Sequence, residues 1–430
     1  MKHTKTFIIL LSIAIFVLNI GNSISQTTNV YVGGTGDNGR AVILTNKTPV
    51  YLTKGIGYVN SVIVNNGKVY ATGIEHNNGY DAKGKVWVDG EVLYTLASEM
   101  EVTEGCAIAV LDNDVYVAGI ERDSWHIYFK GTIWKNGIAE EGYSEAHQLH
   151  SIFIDGNDVY ASGVMLTPYP MYERIAAVWK NGTLLYTLTS NNIGYGCGLK
   201  VVVWNGDVYT VGYEHRIQKV WKNNVELYSF EAMIFPPYTM GFFISNGDIF
   251  VAGHEGGAAK LWKNGGNSYG GTTINLPLDL PYPYWGTYYA SSVFVIGKDI
   301  YVAGGQTDGV GLLWKNENTP ILLSGEDGYS ISSVRSVFVQ NSNNSIVEME
   351  AEQAIYIYPN PTNGILKIGS NNLRVKNVEI FDIYGRKQNV RVEDLLSIES
   401  KINISQLSAG IYFIKIHTEA GEVVRKVLKK

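Results

Sequence analysis

Short apolar runs alternate with glycine-containing turns along most of the chain, and one run occurs seven times. Each copy has the form "VYVAG", in which apolar and small residues alternate before a glycine. Neighbouring copies are between 39 residues apart (Val30 to Val69) and 51 residues apart (Ile249 to Ile300). The copies begin at Val30, Val69, Val115, Val159, Val208, Ile249 and Ile300. A period near 45 residues is typical of β-propellers, whose blades each contain four short strands.

Four strands can be assigned within each repeat. In the third repeat, Cys106–Asn113 and Val115–Gly119 flank a tight turn and are predicted to form one hairpin. Gly131–Gly137 begins a second hairpin, because its Asn-Gly pair favours a type I′ turn. The same "WKNG" turn or a near-copy begins at Trp87, Trp134, Trp179, Trp221, Trp262 and Trp314. We interpret the repeated tryptophan as structural, packed between neighbouring blades.

The two ends of the repeat array are complementary. The first repeat has no strand before Val30, whereas the last is followed by a spare strand, Ser333–Gln340. Pairing the spare strand with Val30–Gly33 removes both open sheet edges. The sequence therefore predicts an all-β chain with a seven-bladed propeller over residues 27–344.

The first 26 residues form a separate segment. Lys2, His3 and Lys5 precede a short apolar run that ends in small residues, which is the pattern of a secretory signal peptide. The run is short for a spanning helix of about 20 residues. No later segment is apolar enough to cross a membrane, so we expect an exported protein without a membrane span.

The last part of the chain has a different pattern. A polar linker (345–354) precedes a domain (355–430) with "YPNP" at Tyr358–Pro361, "YGR" at Tyr384–Arg386, "LSAGIY" at Leu407–Tyr412 and a basic tail. These motifs resemble the type A C-terminal sorting domain of the type IX secretion system of Bacteroidetes. The resemblance implies a small β-sandwich that the secretion machinery recognises, and a protein that is secreted or held at the outer cell surface.

Composition supports this picture and excludes some functions. The chain has 47 glycines and 29 tyrosines, as expected for β-structure, and its net charge of −6 gives no sign of nucleic-acid binding. Two cysteines, Cys106 and Cys197, are too few for a disulfide framework. They are either paired or two buried thiols. No Cys/His cluster has metal-ligand spacing, so we expect neither a metal nor a cofactor.

Polar residues are distributed unequally between the two predicted faces of the propeller. We call the face with the tight hairpin turns the turn face. The loop face carries the longer connections between second and third strands and between blades. The propeller histidines all fall on the loop face: His76, His126, His147, His150, His215 and His254. So do Arg40, Arg122, Arg174, Arg216 and Arg335. Long loops carry function more often than tight turns, so we expect the site there.

Two further patterns separate structural from functional residues. A glutamate follows the second strand of four blades, at Glu75, Glu121, Glu214 and Glu255. Because it is repeated, we interpret it as holding the loop rather than as catalytic. His150 and Arg335 are not repeated and share one register at the start of an inner strand. Other blades have Asn60, Cys106, Leu199, Met240 and Ser291 at this register, which should lie nearest the central channel.

These residue types suit an anionic sugar. Arginine binds a carboxylate in a fork, and tyrosine offers a ring and a hydroxyl. The layout is similar, in architecture and residue chemistry, to seven-bladed propeller ulvan lyases and the related oligosaccharide dehydratase of marine flavobacteria. That resemblance implies β-elimination of a uronic acid, with His126, His147 or His150 and Tyr195 as acid and base and Arg216 on the carboxylate. Further substrate-binding residues are expected at His215, His254, Arg335 and Tyr288. The alternative is a surface propeller that binds glycan or protein without catalysis.

Overall fold

A computed structural model of the protein describes residues 27–430 except 37, 79–80, 126, 169–170, 190–194, 216, 231–239, 278–286, 308, 324–330, 343–354, 371–374, 383–385, 389, 394–398 and 419–420. The predicted signal peptide and linker lie outside the described residues. No helix among the described residues has the length and apolar character needed to cross a membrane.

Seven four-stranded blades make up the propeller. Blade I contains β1 (Thr27–Gly36), β2 (Ala41–Thr45) and β3 (Thr48–Tyr51). Blade II contains β4 (Gly57–Asn65), β5 (Lys68–Asn78), β6 (Asp81–Val88) and β7 (Glu91–Thr95). Blade III contains β8 (Val102–Leu111), β9 (Asp114–Arg122), β10 (Phe129–Lys135) and β11 (Ile138–Ala139). Blade IV contains β12 (Ala146–Asp155), β13 (Asp158–Leu166), β14 (Arg174–Lys180) and β15 (Thr183–Thr187).

The remaining blades follow the same order. Blade V contains β16 (Gly196–Trp204), β17 (Asp207–Glu214), β18 (Ile217–Lys222) and β19 (Val225–Phe230). Blade VI contains β20 (Gly241–Ser245), β21 (Asp248–Glu255), β22 (Ala258–Lys263) and β23 (Thr272–Asn275), with a 3₁₀ helix at Asn267–Tyr269. Blade VII contains β24 (Tyr288–Ile296), β25 (Asp299–Gln306), β26 (Val310–Lys315) and β27 (Ile321–Leu322). A single parallel pair, Ala82 with Val102, joins the sheets of blades II and III.

The ring closes through its two ends, as the sequence predicts. β28 (Ile331–Ser342) pairs antiparallel with β1, with Val30 opposite Val339 and Val32 opposite Val337. β28 is thereby the inner strand of blade I. The inner strands β28, β4, β8, β12, β16, β20 and β24 each lie against the next around the ring.

The asparagine of the WKNG turn explains why the motif is repeated. Asn136 and Gly137 have φ values of 52° and 83°, both positive as a type I′ turn requires. The Asn136 Oδ1 accepts the Val115 N–H at 2.9 Å, and its Nδ2 donates to Asp114 at 2.8 Å. Lys135 pairs with Asp114 at 2.7 Å. The same arrangement recurs at Asn181, Asn223, Asn264 and Asn316. Each turn therefore ties the two hairpins of its blade together.

Replacing Asn136 by alanine should lower the free energy of unfolding by about 2 kcal/mol, because two hydrogen bonds are lost and φ is positive. Asn136→Gly is the matched control, since it loses the same bonds but tolerates the backbone. Denaturant unfolding of the two variants separates the contributions. An alanine variant as stable as the wild type would show that the turn does not hold the hairpins together.

The repeated tryptophans are buried between blades, which confirms their structural interpretation. All six are at most 3% exposed. Trp134 donates its Nε1–H to the Ala97 carbonyl of blade II at 2.7 Å. Trp314 donates in the same way to Pro277 of blade VI at 2.9 Å.

The four repeated glutamates pair with lysines of the neighbouring strand, which fits a structural role. Glu75 lies 3.8 Å from Lys85, and the other pairs are Glu121–Lys130, Glu214–Lys219 and Glu255–Lys260. Burial tends to raise the pKa of Glu121, but hydrogen bonds from Ser98, Thr132 and Lys130 outweigh burial and hold that pKa below its usual range. Each of these carboxylates therefore has a lysine partner in its own blade.

The C-terminal part forms two four-stranded sheets. One contains β29 (Ile355–Tyr358), β30 (Ile365–Ser370), β33 (Arg391–Glu393) and β34 (Glu399–Asn403). The other contains β31 (Val375–Asp382), β32 (Lys387–Gln388), β35 (Gly410–Thr418) and β36 (Gly421–Lys429). Leu366 and Ile402 of the first sheet share a core with Ile380 and Ile414 of the second. The predicted β-sandwich is therefore present.

Candidate functional site

Six inner strands carry a one-residue bulge near their start on the loop face, at the register expected to line the channel. The unpaired residues are Asn60, Cys106, His150, Leu199, Ser291 and Arg335. Asn60, Cys106, His150 and Arg335 are half-buried, as expected for the wall of a channel. Bulges of this kind re-aim side chains and are common beside functional sites.

In blades V and VI the residue at this register does not line the channel, contrary to the expectation. Leu199 and Met240 pack into a hydrophobic cluster with Val211 and Val251 instead of facing the channel. An apolar side chain at this register gains more from burial in the core than from contact with water.

One group of channel residues, which we call the Arg335 network, is joined by hydrogen bonds and ring stacking. The Arg335 guanidinium lies 4.0 Å from the centroid of the Tyr58 ring and donates to Asn60 Oδ1 at 2.9 Å. Asn60 in turn donates to Glu104 Oε1 at 2.9 Å. Burial raises the pKa of Tyr58, and the nearby Glu104 raises it further, so the phenol stays protonated. Arg335 of blade I is therefore linked to residues of blades II and III.

Lys200 is half-buried on the inner strand of blade V and acts on Cys106 and His150, although sequence reasoning did not select it. It follows the bulge at Leu199, where blades II, IV, VII and I have Ser61, Ser151, Ser292 and Ser336. Three of these serines accept a backbone N–H of the next blade, from Val201, Val337 and Val62. A lysine cannot accept that bond. Aligning the repeats at this register would have revealed Lys200 as an unrepeated residue.

Lys200 has no acidic partner within the described part of the chain. It forms neither a hydrogen bond nor an ion pair there, and burial lowers its pKa. Its charge shifts the pKa of the Cys106 thiol and of the His150 imidazole, so both groups lie close to it. A cation held in this way is available to an anion that enters the channel.

The inner strand of blade IV carries two imidazoles, His147 and His150, and Lys200 of blade V acts on the second of them. Burial lowers the pKa of His147 to about 4, and the Arg174 guanidinium adds to that effect. Burial likewise lowers the pKa of His150 to about 4, with further contributions from Arg174, Lys200 and His147. Both imidazoles are therefore neutral at pH 7. Arg174 donates to Gln148 Oε1 at 2.6 Å, while its Nε has no hydrogen-bond partner among the described residues.

We call His147, His150, Arg174 and Lys200 the cationic cluster. Burial and the Arg174 guanidinium lower the pKa of both imidazoles, and no carboxylate of the described residues pairs with Arg174 or Lys200. Glu104, the carboxylate of the Arg335 network, is already bonded to Asn60. The arrangement can therefore hold an anionic group next to a neutral imidazole, which is able to accept a proton.

The other predicted site residues occupy several places. Tyr195 forms a backbone bridge with Arg174, and its side chain is 62% exposed. Its carbonyl accepts the N–H of the exposed His215 at 2.7 Å. His254 lies in β21 of blade VI, one residue before the strand ends, and burial lowers its pKa; Tyr288 begins β24 in blade VII. His254 and Tyr288 lie in blades VI and VII, whereas the cationic cluster lies in blades IV and V. His126 and Arg216 lie outside the described residues.

The thiols are not bonded to each other. Cys106 and Cys197 are both free, and burial raises the pKa of each. Of the two alternatives that the sequence leaves open, the structure has two protonated thiols.

Comparison with known families identifies the C-terminal part. Residues 356–430 match the secretion system C-terminal sorting domain. The protein is therefore an exported one, secreted or located at the outer surface, and the type IX secretion machinery is its partner in export. Comparison with curated proteins yields no match.

Solved structures similar to this chain include two that are described as propellers, from Doa1 and Dos1. The WD40 β-propeller domain of Doa1 is 14% identical, with 75% of this chain and 95% of that chain covered and a TM-score of 0.43. AztD from Citrobacter koseri is 10% identical, with 74% and 100% covered and a TM-score of 0.40. Trypanosoma rangeli sialidase is 10% identical, with 83% and 66% covered and a TM-score of 0.38. These likenesses are too weak to carry an argument about activity.

Proposed function

We propose that the exported propeller binds the anionic group of a uronic-acid-containing glycan, of the ulvan type, at the cationic cluster and cleaves the glycan by β-elimination. The observation that carries this proposal is the juxtaposition of two cations that lack a described acidic partner, Arg174 and Lys200, with the neutral imidazole of His150. A uronate supplies the missing negative charge. It also supplies an acidic C–H bond that a neutral imidazole can attack.

The proposed reaction needs no further reactant. Arg174 and Lys200 hold the carboxylate and so stabilise the negative charge that develops when the C5 proton leaves. His150 accepts that proton, and the electron pair forms the C4=C5 double bond. The C4–O bond breaks, and the departing oxygen takes a proton from Tyr195. If the departing group is a sugar the reaction is a lyase reaction, and if it is hydroxide, which leaves as water, it is a dehydration.

Binding of the carboxylate also changes the pKa of the general base, His150. In the free protein burial lowers the pKa of His150 to about 4, and the positive charges of Arg174 and Lys200 contribute to that shift. A bound anion offsets those charges, so the pKa of His150 rises towards the range in which a general base is effective. Tyr195 and Arg174 are adjacent through their backbone bridge, which supports the pairing of acid and carboxylate site. Arg174 takes the role that the sequence assigned to Arg216.

The test is to incubate the protein with ulvan, polygalacturonate, glucuronan and alginate, and with tetrasaccharides from each. The ultraviolet absorbance of the C4=C5 double bond reports elimination, and calorimetry reports binding. A rise in absorbance supports the proposed reaction. Binding without any rise supports the alternative, a glycan-binding propeller, and the absence of both contradicts each of them.

Lys200→Met should weaken binding of the tetrasaccharide about 10- to 100-fold, because a charge-assisted hydrogen bond contributes about 1.5–3 kcal/mol. Its stability should be unchanged or greater, since methionine fills a similar volume without an unpaired buried charge. Lys180→Met is the matched control, because Lys180 pairs with Asp158 at 2.8 Å on the turn face. If Lys200→Met bound the tetrasaccharide with wild-type affinity, the channel would not be the binding site.

A further inference from the structure

Large exposed apolar side chains are concentrated on the loop face of blades III, IV and V. Trp125 is 82% exposed and Tyr128 is 68% exposed, both in the loop between β9 and β10. Tyr172, in the loop between β13 and β14, is 60% exposed. We call the following set the rim: Trp125, Ile127, Tyr128, Met171, Tyr172 and Tyr195. A group of exposed apolar side chains of this size usually belongs to a binding surface, whereas single exposed apolar residues need no explanation.

The loops that carry the rim are held by their own hydrogen bonds. The Asp123 carboxylate accepts the N–H groups of Ile127 at 2.8 Å and Tyr128 at 3.0 Å. In the next blade, Thr167 and Glu173 exchange bonds across their loop, at 2.9 Å and 2.8 Å. The described backbone next to Tyr128 and Tyr172 is therefore held by hydrogen bonds. Rigid aromatic groups lose little conformational entropy when they bind a partner.

The rim is continuous with the cationic cluster. Phe129 follows Tyr128 directly, and its ring centroid lies 5.1 Å from that of His147. Arg174 begins the strand after Tyr172, and it bridges Tyr195. A chain that leaves the cationic cluster on this side passes directly onto the exposed rings.

We propose that the rim is a platform for successive sugar rings of an acidic polysaccharide whose reacting residue occupies the cationic cluster. The inference rests on the proposed function and extends it, because it assigns the substrate as a polymer engaged along its length. Indole and phenol rings stack against the apolar faces of sugars, and the tyrosine hydroxyls reach the sugar hydroxyl groups. The adjacent cations match the charge that a polymeric uronate repeats along its chain.

The experiment compares polymer with tetrasaccharide. Affinity electrophoresis in gels that contain ulvan, polygalacturonate, glucuronan or alginate measures polymer binding, and calorimetry measures tetrasaccharide binding. The double variant Trp125→Ala/Tyr172→Ala should lose at least about 10-fold in polymer affinity and stay within about two-fold for the tetrasaccharide, since each stacked ring contributes on the order of 1 kcal/mol. Ile138→Ala is the matched control, because Ile138 is 70% exposed on the outer strand of blade III. It should bind both ligands like the wild type.

Other outcomes distinguish the platform from the channel site. A double variant that binds polymer like the wild type overturns the platform, and so does one that loses both ligands equally. If Lys200→Met binds both ligands normally while the double variant loses only the polymer, the platform is supported and the channel site fails. A wild-type protein that migrates unretarded in all four gels overturns both.

Discussion

His150→Gln will lower kcat for a uronate substrate by about 100-fold or more and leave KM within a few-fold of the wild-type value. Removal of a general base typically costs about 100- to 10,000-fold. Glutamine keeps a polar group of similar size in the channel but cannot accept the proton. His76→Gln is the matched control, because His76 also lies on the loop face, in blade II, and has no assigned role. The measurement is steady-state kinetics of double-bond formation.

The rate of double-bond formation should decrease at acidic pH. His150 must be neutral to act as a base, so kcat/KM falls as the pH decreases through the pKa of the free protein, which is about 4. The acidic limb of kcat reports the complex and should lie at higher pH, because the bound anion offsets Arg174 and Lys200. In His150→Gln both limbs should disappear or shift. Identical acidic limbs in the variant and the wild type would assign the base to another residue.

Trp134→Ala will lower the free energy of unfolding by about 3–5 kcal/mol, because truncating a buried tryptophan leaves a cavity between blades. Trp134 is fully buried, and its Nε1–H also serves the Ala97 carbonyl of the preceding blade. Trp125→Ala is the matched control and should change stability by no more than about 0.5 kcal/mol, since its side chain is 82% exposed. Denaturant unfolding checks both variants.

Two results would contradict the assigned roles of Trp134 and Trp125. If Trp134→Ala unfolds at the same denaturant concentration as Trp125→Ala, the repeated tryptophan does not connect the blades. If Trp125→Ala is the less stable of the two, the loop between β9 and β10 contributes to the fold, and its exposed residues are not reserved for binding.

The repeated architecture was determined by the sequence, because each of its causes is local. An Asn-Gly pair such as Asn136–Gly137 specifies a type I′ turn through the two residues' own φ preferences. Alternation of apolar and polar residues then orients each strand, and counting strands requires β28 to pair with β1. The motifs of the sorting domain can likewise be read without knowledge of the packing.

The candidate site was decided by tertiary structure. In the inner strand of blade V the apolar Leu199 is buried in the core whereas Lys200 is half-buried, and the sequence alone does not reveal which of the two is buried. The charges of Arg174 and Lys200 that act on His150 come from β14 of the same blade and β16 of the next blade, which only the folded chain brings close to it. The sequence assigned His150 and His254 equally to the loop face. Only the packing distinguishes them: two cations and burial lower the pKa of His150, whereas burial alone lowers the pKa of His254.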